Sequence, residues 1–351
     1  MKRVEKKLHR LKSNQILRDL CSETNFSLSH FVQPVFVNES IINNEEILGL
    51  KDNFVMSIEG SIKQIDSDIA KGVRNFLLFI SPKKKSSKSF NLGFHQKVIS
   101  SIKEEFKDDI NLWTDVCLCS LTDHGHCCLF DKNQSIDLDN TLKEISNIAL
   151  SYAEAGSDII APSDMMDGRT LSIRKTLDDK KFSMKPIVSY STKFSSNFYG
   201  PFREAASSAP SFGDRKQYQL DYRSKSEAIR ASIRCAEEGA DMLMVKPGLT
   251  SIDLINEIRE KTSLMVGSYQ VSGEYVMIKN ASDDKSIDYK PCVLESLTCI
   301  KRAGADVIFS DKVISLNDKV NKKKKIKAFK NFKIDKKLMS CLLYTSDAAD
   351  E

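Results

Sequence analysis

The sequence predicts an α/β fold of the (β/α)₈ TIM-barrel class, preceded by an N-terminal arm. The main observation is that short apolar runs alternate eight times with polar segments of helical length. This alternation is typical of parallel strands joined by crossover helices, and eight units in about 290 residues match a closed barrel. An open doubly wound sheet is the alternative. Such a sheet commonly has a glycine-rich turn after its first strand, and the segment QPVFVNES contains no glycine.

Each predicted strand is a run rich in Val, Ile, Leu or Phe. In chain order, the eight runs are His30–Val37, Asn75–Ile80, Leu112–Cys119, Asp158–Ser163, Pro186–Thr192, Met242–Lys246, Met265–Ser272 and Asp306–Ser310. Three runs follow a similar junction, centred on Gly156, Gly239 and Gly304. Glycine suits the left-handed residue that ends a helix, so each junction predicts a helix end followed by a strand.

Composition excludes several classes of protein. The chain has 351 residues, 41% of them hydrophobic, which is enough for a large core and argues against extensive disorder. A formal net charge of only +5 gives no reason to expect a nucleic acid partner. The sequence shows no signal peptide and no run of 18 apolar residues, so we expect a cytoplasmic protein that does not bind a membrane.

The expected organisation is an arm at residues 1–29, a catalytic barrel at 30–320 and a basic tail at 321–340. The last segment, CLLYTSDAADE (341–351), is similar to the translation of a sequencing adapter, and we expect it to be an artefact. The alternative for this segment is a short acidic tail. A frameshift or misassembly that begins near Phe309 would also explain the lysine-rich stretch before it.

Two of the predicted strands lead into lysine. In a (β/α)₈ barrel, reactive side chains lie at the carboxyl ends of strands, and Lys193 ends PIVSYSTK while Lys246 ends MLMVK. Apolar surroundings lower the pKa of a lysine, and the neutral amine can form a Schiff base with a substrate carbonyl. Each lysine could instead extend to water or pair with a carboxylate, but two at successive strand ends favour the chemical role.

The third predicted strand runs into a cluster of metal-binding residue types, DVCLCSLTDHGHCC (115–128). Cys117 and Cys119 are two residues apart, so on a strand their thiols face one side, and Cys127 can complete a set of three thiolates. Three ligands and an open position are typical of catalytic zinc, whereas a structural site needs a fourth ligand. Local candidates for a fourth ligand are Cys128, His124 and His126. Buried free cysteines are the alternative, and a disulfide framework is not expected without a secretory signal.

A long segment rich in Ser, Gly and Pro, Phe194–Leu220, lies between the two lysines. It is too long for an ordinary connection and predicts a lid over the mouth of the barrel, so we call it the lid segment. It carries Arg203 and Arg215, which suit the capture of a carboxylate. A solvated surface loop with ordinary charges is the alternative.

Five segments together resemble the porphobilinogen synthases, also called 5-aminolevulinate dehydratases, of the zinc-dependent type. They are DVCLC…TDHGHC, APSDMMDGR, SYSTKFSSNFYGPFREAASSAPSFGDRKQYQLDYR, EGADMLMVKPG and YQVSGEY. The resemblance implies a (β/α)₈ barrel with an arm, usually assembled as a homo-octamer. It also implies a hydro-lyase that condenses two 5-aminolevulinate molecules into porphobilinogen with loss of two waters, in tetrapyrrole (heme) biosynthesis.

The resemblance also implies roles for the lysines and the cysteines. Lys193 and Lys246 correspond to paired Schiff-base lysines, of which Lys246 holds the first substrate to bind. The residues that correspond to zinc ligands are Cys117, Cys119 and Cys127. In the family, the open position of the zinc lies beside the second substrate.

Further residues correspond to substrate-binding positions. The carboxylate of the second substrate is expected to contact Arg203, Arg215 and Gln219. Ser272 corresponds to a residue that binds the carboxylate of the first substrate. The pocket of the first substrate near its amino group corresponds to Asp115 and Ser163, and Tyr199 is expected to pack near the lysines. Glu238 matches a position at which some members bind an allosteric magnesium ion between subunits.

One position departs from the family pattern. The family has a tyrosine directly after the eighth strand, where this chain has Asp311, whose carboxylate would repel a substrate carboxylate. Two hypotheses stay open: an active zinc-dependent synthase, and a catalytically impaired member that retains zinc binding and oligomerisation. A third, another lysine-dependent aldolase on the same barrel, explains the two lysines but not the three cysteines.

Overall fold

The structure is a computed structural model that describes residues 10–206 and 208–311. The strands are β1 (Phe31–Asn38), β2 (Glu45–Glu46), β3 (Phe54–Met56), β4 (Asn75–Ser81), β5 (Asn111–Val116), β6 (Ile159–Pro162), β7 (Val188–Lys193), β8 (Met242–Lys246), β9 (Met265–Gln270) and β10 (Val307–Ser310). The α-helices are α1 (Gln15–Leu20), α2 (Ile58–Ala70), α3 (Gly93–Phe106), α4 (Leu138–Glu154), α5 (Arg169–Asp179), α6 (Gly200–Ala205), α7 (Lys225–Glu237), α8 (Ile252–Thr262), α9 (Ser272–Asp283) and α10 (Tyr289–Arg302).

Eight parallel strands form a barrel in chain order, β1, β4, β5, β6, β7, β8, β9 and β10. The last strand pairs with the first, with Ile308 opposite Phe31. Between β6 and β7 the barrel is joined by a single parallel bridge between Ile160 and Ile187. The predicted (β/α)₈ TIM barrel is therefore confirmed, and the open doubly wound alternative is wrong.

Each of the eight predicted runs overlaps one barrel strand, but three of them extend past the strand end, by one residue at β6 and further at β5 and β9. β5 ends at Val116 and β9 at Gln270, because the chain then turns into a 3₁₀ turn at Leu118–Ser120 and into α9 respectively. The hairpin of β2 and β3 was not predicted, since both strands are short and mostly exposed at the surface. Apolar runs thus located the strands better than they located the strand ends.

The three glycine junctions adopt the predicted left-handed conformation. Gly156, Gly239 and Gly304 have φ angles of +109°, +95° and +108°. At Gly239 an added Cβ would also lie 3.1 Å from the side chain of Arg174. Glycine at these junctions therefore allows the chain to leave a helix and enter the next barrel strand.

Large side chains fill the interior of the barrel. Trp113 packs edge-on against Phe309 with ring centroids 5.4 Å apart, and Tyr269 stacks on Phe309 at 5.7 Å. These rings are buried, together with Leu77 and Met244. The interior of the barrel is thus a packed core and not an open channel.

The described part of the predicted arm buries none of its helical residues. It comprises a 3₁₀ turn at Arg10–Lys12, then α1, then a 3₁₀ turn at Leu28–His30. Residues 1–9, the predicted tail at 321–340 and the expected artefact at 341–351 lie outside the described residues, so these assignments stay predictions. Within residues 10–206 and 208–311, no helix combines the length and apolar character needed to cross a bilayer.

Candidate active site

Lys193 and Lys246 lie directly opposite each other at the carboxyl ends of neighbouring strands. This pairing depends on an irregularity in β7. Ser189 pairs with Leu243, whereas Thr192 pairs with Val245, so β7 contains one extra residue between these pairs. A bulge of this kind re-aims the residues that follow it. Without the extra residue, Thr192 and not Lys193 would face Lys246.

Aromatic rings surround the amine of Lys246. Its Nζ lies 4.1 to 5.5 Å from the ring centroids of Tyr269, Phe202, Tyr199 and Tyr190. Burial, and then the nearby ammonium of Lys193, lower the pKa of Lys246 to about 7. A large share of Lys246 is therefore a neutral amine near neutral pH, and a neutral amine is the form that attacks a carbonyl.

Lys193 and Asp115 lie next to each other in the barrel mouth. The Nζ of Lys193 donates a hydrogen bond to the carbonyl oxygen of Ser163 at 2.6 Å. Burial raises the pKa of the Asp115 carboxyl to about 6, although the charge of Lys193 and the hydroxyl of Ser163 oppose this rise. A carboxyl group with a pKa close to neutral can both take up and release a proton during a reaction.

Ser272 and Asp311 lie on the Tyr269 side of Lys246. The Tyr269 hydroxyl donates to Asp311 Oδ1 at 3.4 Å. Burial raises the pKa of Asp311 to about 6, while the hydroxyl of Ser272 and the charge of Lys246 lower it. The position that departs from the family pattern is thus buried beside Tyr269 and Ser272, the residue expected to bind the first carboxylate.

Glu274 is a buried carboxylate that the sequence did not single out. It accepts hydrogen bonds from the backbone N–H groups of Leu249 at 2.8 Å and Val271 at 2.9 Å, and longer ones from Gly248 and Thr250. The loop after Lys246 is thereby tied to the loop that carries Ser272. The sequence offered only an acidic residue shortly after a predicted strand, which points at most to a helix cap.

The sulfur atoms of Cys117, Cys119 and Cys127 lie within 4.8 Å of one another, and all three residues are buried. The prediction that a strand aligns the first two thiols is wrong. β5 ends at Val116, and Cys117 caps the start of the 3₁₀ turn, where its sulfur accepts a hydrogen bond from the N–H of Cys119 at 3.5 Å. A tight turn, and not strand alternation, brings these two thiols together.

None of the three candidates for a fourth ligand joins this trio. Cys128 is buried but lies outside the group. His126 has Nδ1 3.0 Å from the Tyr218 hydroxyl and Nε2 2.9 Å from the carbonyl oxygen of Phe212, so both ring nitrogens are engaged. His124 Nδ1 accepts from the N–H of His126 at 3.0 Å. Three buried thiols fit a soft metal such as zinc, and among the described residues no fourth metal-ligating side chain joins them.

The lid segment brings buried polar groups to the mouth of the barrel. Arg215 donates from Nη2 to the carbonyl oxygens of Gly125, at 2.9 Å, and Ser208. Neither amide atom of the buried Gln219 has a hydrogen-bond partner within residues 10–206 and 208–311. Arg203 lies over the ring of Tyr199, 5.9 Å from its centroid. Arg215 and Gln219 are thus not the solvated side chains that a plain surface loop would present.

A small cavity of about 20 Å³ lies where these parts meet. Its walls include Asp115, Cys119, Ser163, Lys193 and Arg215. The lysine, cysteine and lid residues predicted from separate parts of the sequence therefore surround one space. Tyr199 lies at the other lysine, where its hydroxyl donates to the carbonyl oxygen of Lys246 at 3.2 Å.

Glu238 belongs to a different place. It follows α7, and its Oε1 lies 3.5 Å from Nε of Arg234. It is not part of any group of three or more metal-ligating side chains in the described part of the chain. A magnesium ion at Glu238 therefore stays a prediction.

Comparisons with known proteins agree with this site. The family model described as delta-aminolevulinic acid dehydratase matches residues 5–316. Proteins of that name from Helicobacter pylori and Bacillus subtilis are 44% and 40% identical over 310 and 305 residues, which cover 87% and 86% of this chain and 95% and 94% of theirs.

A solved structure of a protein with the same name is also similar to this chain. The delta-aminolevulinic acid dehydratase (porphobilinogen synthase) of Toxoplasma gondii, in complex with the reaction product porphobilinogen, aligns with a TM-score of 0.86 and 35% identity. The alignment covers 90% of this chain and 91% of that one. The match includes the strands that carry both lysines and the loop that carries the three cysteines, and the chain belongs to the delta-aminolevulinic acid dehydratase family.

Proposed function

We propose that this chain is an active porphobilinogen synthase, which condenses two molecules of 5-aminolevulinate into porphobilinogen and releases two waters. The observation that carries the proposal is the pairing of Lys193 with Lys246 inside a buried pocket. Two amines at one site can hold two keto substrates, one on each lysine. The family membership and the product-bound relative support this substrate and this product.

The first step assigned to the protein is Schiff-base formation at Lys246. Its neutral amine attacks the ketone of the first substrate, and water leaves as the iminium forms. The surrounding rings of Tyr269, Phe202, Tyr199 and Tyr190 limit the access of water that would hydrolyse the iminium. Ser272 is proposed to bind the carboxylate of this substrate.

Carbon–carbon bond formation follows from the same chemistry. An iminium withdraws electrons from the adjacent carbon, so a proton can leave and the resulting enamine can attack the carbonyl carbon of the other substrate. Asp115 is proposed to move protons here, since its pKa of about 6 is close to neutral. Ser163 lies beside it and is assigned to the amino group of the first substrate.

We assign a zinc ion to Cys117, Cys119 and Cys127. When bound, zinc supplies a Lewis acid with an open position next to the second substrate. Within residues 10–206 and 208–311, no further metal-ligating side chain joins the three thiols, and both nitrogens of His126 have other partners, which supports a site with three protein ligands.

The second substrate is assigned to the lid segment. Its carboxylate is proposed to contact Arg203, Arg215 and Gln219. Arg215 now donates to backbone carbonyl oxygens, which a carboxylate would replace with a stronger, charge-assisted pair. Since the cavity has a volume of only about 20 Å³, the lid segment must move before two substrates can enter.

To test the proposal, the protein is incubated with 5-aminolevulinate and zinc. Adducts are then trapped with borohydride and mapped by mass spectrometry. We expect reduced adducts on Lys246 and Lys193 and the formation of porphobilinogen. Adducts without product would contradict the proposal and support the catalytically impaired alternative. Adducts on neither lysine would also exclude another lysine-dependent aldolase.

Three finer assignments accompany this proposal. We propose a homo-octamer in the cytoplasm and an allosteric magnesium ion at Glu238. The sedimentation velocity of the full chain, with and without magnesium, tests the assembly. A Glu238→Gln variant that responds to magnesium as the unchanged protein does would contradict the site.

A further inference from the structure

His126 connects the cysteine loop to the lid segment through both of its ring nitrogens. Nε2 lies 2.9 Å from the carbonyl oxygen of Phe212, and Nδ1 lies 3.0 Å from the hydroxyl of Tyr218. The same hydroxyl accepts a hydrogen bond from the backbone N–H of Cys127 at 3.3 Å. A continuous chain of hydrogen bonds, which we call the His126–Tyr218 relay, therefore runs from the lid segment to a residue of the thiol trio.

The direction of each hydrogen bond in the relay follows from its chemistry. A carbonyl oxygen only accepts, so Nε2 of His126 carries the proton that points to Phe212. In a neutral imidazole, Nδ1 is then the acceptor, and Tyr218 donates its hydroxyl proton to it. The oxygen of Tyr218 is left to accept from the N–H of Cys127. Each group has one role, and removal of the Tyr218 hydroxyl leaves two buried partners unsatisfied.

The relay is partly buried: the imidazole at its centre is enclosed, whereas Phe212 at one end is 49% exposed. His126 is only 2% exposed, and its ring lies 4.6 Å from that of Phe212 and 5.2 Å from that of Phe130. The ring of Tyr218 packs against the thiol trio itself. Loss of a partner at the buried His126 ring or at the buried N–H of Cys127 is costly, because these groups have little access to water.

The residues before Cys127 are held by the same segment. The N–H of Ser211 donates to the carbonyl oxygen of His124 at 2.9 Å, and Arg215 donates to that of Gly125. Three successive residues, His124, Gly125 and His126, are thus each bonded to residues 208–220. Cys117, by contrast, directly follows the last residue of a barrel strand.

We propose that Tyr218 and His126 are positioning residues that hold Cys127 in its metal-binding place while the lid segment is closed, so that metal binding and lid closure favour each other. This inference deepens the proposed function and rests on its assignment of the thiol trio to zinc. Coupling between two sites is reciprocal. Metal should therefore protect the lid segment, and a defect in the lid segment should weaken the metal site.

The sharpest variant is Tyr218→Phe, which removes one hydroxyl and keeps the ring against the trio. Loss of an outer partner of a metal ligand commonly weakens metal binding by about 10- to 100-fold, and we expect a loss in this range. Tyr222→Phe makes the same chemical change two residues beyond the lid segment, at a side chain that is 70% exposed. This control should bind metal as the unchanged protein does.

The test measures zinc affinity by competition with a chelator, without substrate, on the full chain. Cobalt provides a second readout, since its thiolate charge-transfer absorption reports on the three sulfur ligands. Limited proteolysis with and without zinc reports on the lid segment. We expect zinc to slow cleavage within residues 208–220 in the unchanged protein and in Tyr222→Phe, and to slow it much less in Tyr218→Phe.

Unchanged zinc affinity in Tyr218→Phe would overturn the inference, as would equal cleavage of the unchanged protein with and without zinc. The second outcome needs no variant, so it holds even if Tyr218→Phe fails to fold by circular dichroism. If the unchanged protein binds no zinc at the trio, the proposed zinc site itself fails. If the unchanged protein binds zinc and Tyr218→Phe binds it with the same affinity, the inference fails while the proposed zinc site stands.

Discussion

The lysine half and the cysteine half of the site are built in different ways. Lys193 and Lys246 end two barrel strands, and the pairing of these strands fixes their positions. Cys127, in the other half, lies on a loop that is bonded to the lid segment through Tyr218. The first half is thus part of the barrel and the second depends on a contact between loops, which open more easily than strands do.

Because the two halves are built differently, a change that impairs one of them should leave the other intact. Loss of the metal should disturb the cysteine half and leave the lysines in place. Loss of a lysine should stop the chemistry without disturbing the thiol trio.

The largest effect is expected for Lys246→Met, which replaces the buried amine by a chain of similar length. Without the Schiff base at this position, product formation should fall by more than about 10³-fold, as for the loss of other covalent catalytic groups. Product assays measure the loss, and cobalt absorption should show an intact trio. Lys225→Met, at an exposed ion pair with Glu257, is the control. Residual activity within tenfold of the unchanged protein would show that Lys246 is not the essential amine.

Removal of the metal should have the next largest effect. A Lewis acid contributes several kcal/mol to a reaction, so a chelator should lower product formation by about 10²-fold or more. Borohydride trapping should still give adducts on Lys246, because the strands that place it contain no thiol ligand. Recovery on zinc addition is the control. Loss of the Lys246 adduct together with the metal would show that the two halves are not independent.

The sequence predicted the lysine half only in part. Apolar runs located β7 and β8, and each lysine was found because a charged residue ended a buried run. The extra residue in β7 was not visible, because PIVSYSTK shows no break in its pattern. The register that brings Lys193 opposite Lys246 arises from pairing between strands, which a single sequence does not report.

The cysteine half was predicted by composition and not by geometry. Residue types and spacing identified the trio, but the turn that aligns Cys117 with Cys119 was taken for a strand. The partners of the trio were missed, since His126 and Tyr218 are 92 positions apart in the chain. Glu274 was missed for a similar reason, because its partners near Leu249 come from another loop. Contacts between distant loops produce no periodic pattern in the sequence from which they could be predicted.

The titration of Lys246 should change the rate of adduct formation gradually with pH, by less than the loss of the lysine or the metal does. Burial lowers its pKa to about 7 from an ordinary 10.5, so the neutral amine predominates above pH 7 and is lost below it. The initial rate of adduct formation should therefore rise by about tenfold per pH unit up to pH 7 and then level off. Rapid borohydride quenching across a pH series measures this profile.

The Phe202→Ala variant tests whether burial causes the lowered pKa of Lys246. The ring of Phe202 lies 4.5 Å from the Lys246 Nζ, and its loss would admit water to the amine. Since burial is the main cause of the lowered pKa, the midpoint of the profile should move to higher pH. Phe212→Ala, on the same segment but beside His126, should leave the midpoint unchanged. A midpoint that stays at pH 7 in Phe202→Ala would mean that this ring does not exclude water from the Lys246 amine.

The smallest effect is expected at Asp311, which borders the lysine half. Its pKa of about 6 makes it mostly charged at pH 7.5, where it should repel the carboxylate of the first substrate. Asp311→Asn removes the charge in nearly the same volume, so KM should fall by about 3- to 10-fold with little change in kcat. Asp283→Asn, at an exposed ion pair with Lys279, is the control.

A second readout separates repulsion of the substrate from a general change in packing. The charge of Asp311 also raises the pKa of Lys246, so Asp311→Asn should move the midpoint of adduct formation to lower pH. A packing defect would raise KM and would have no reason to shift the midpoint in this direction. An unchanged KM with a shifted midpoint would place Asp311 near the amine but away from the carboxylate. In that case the departure from the family tyrosine would act through Lys246 and not through substrate binding.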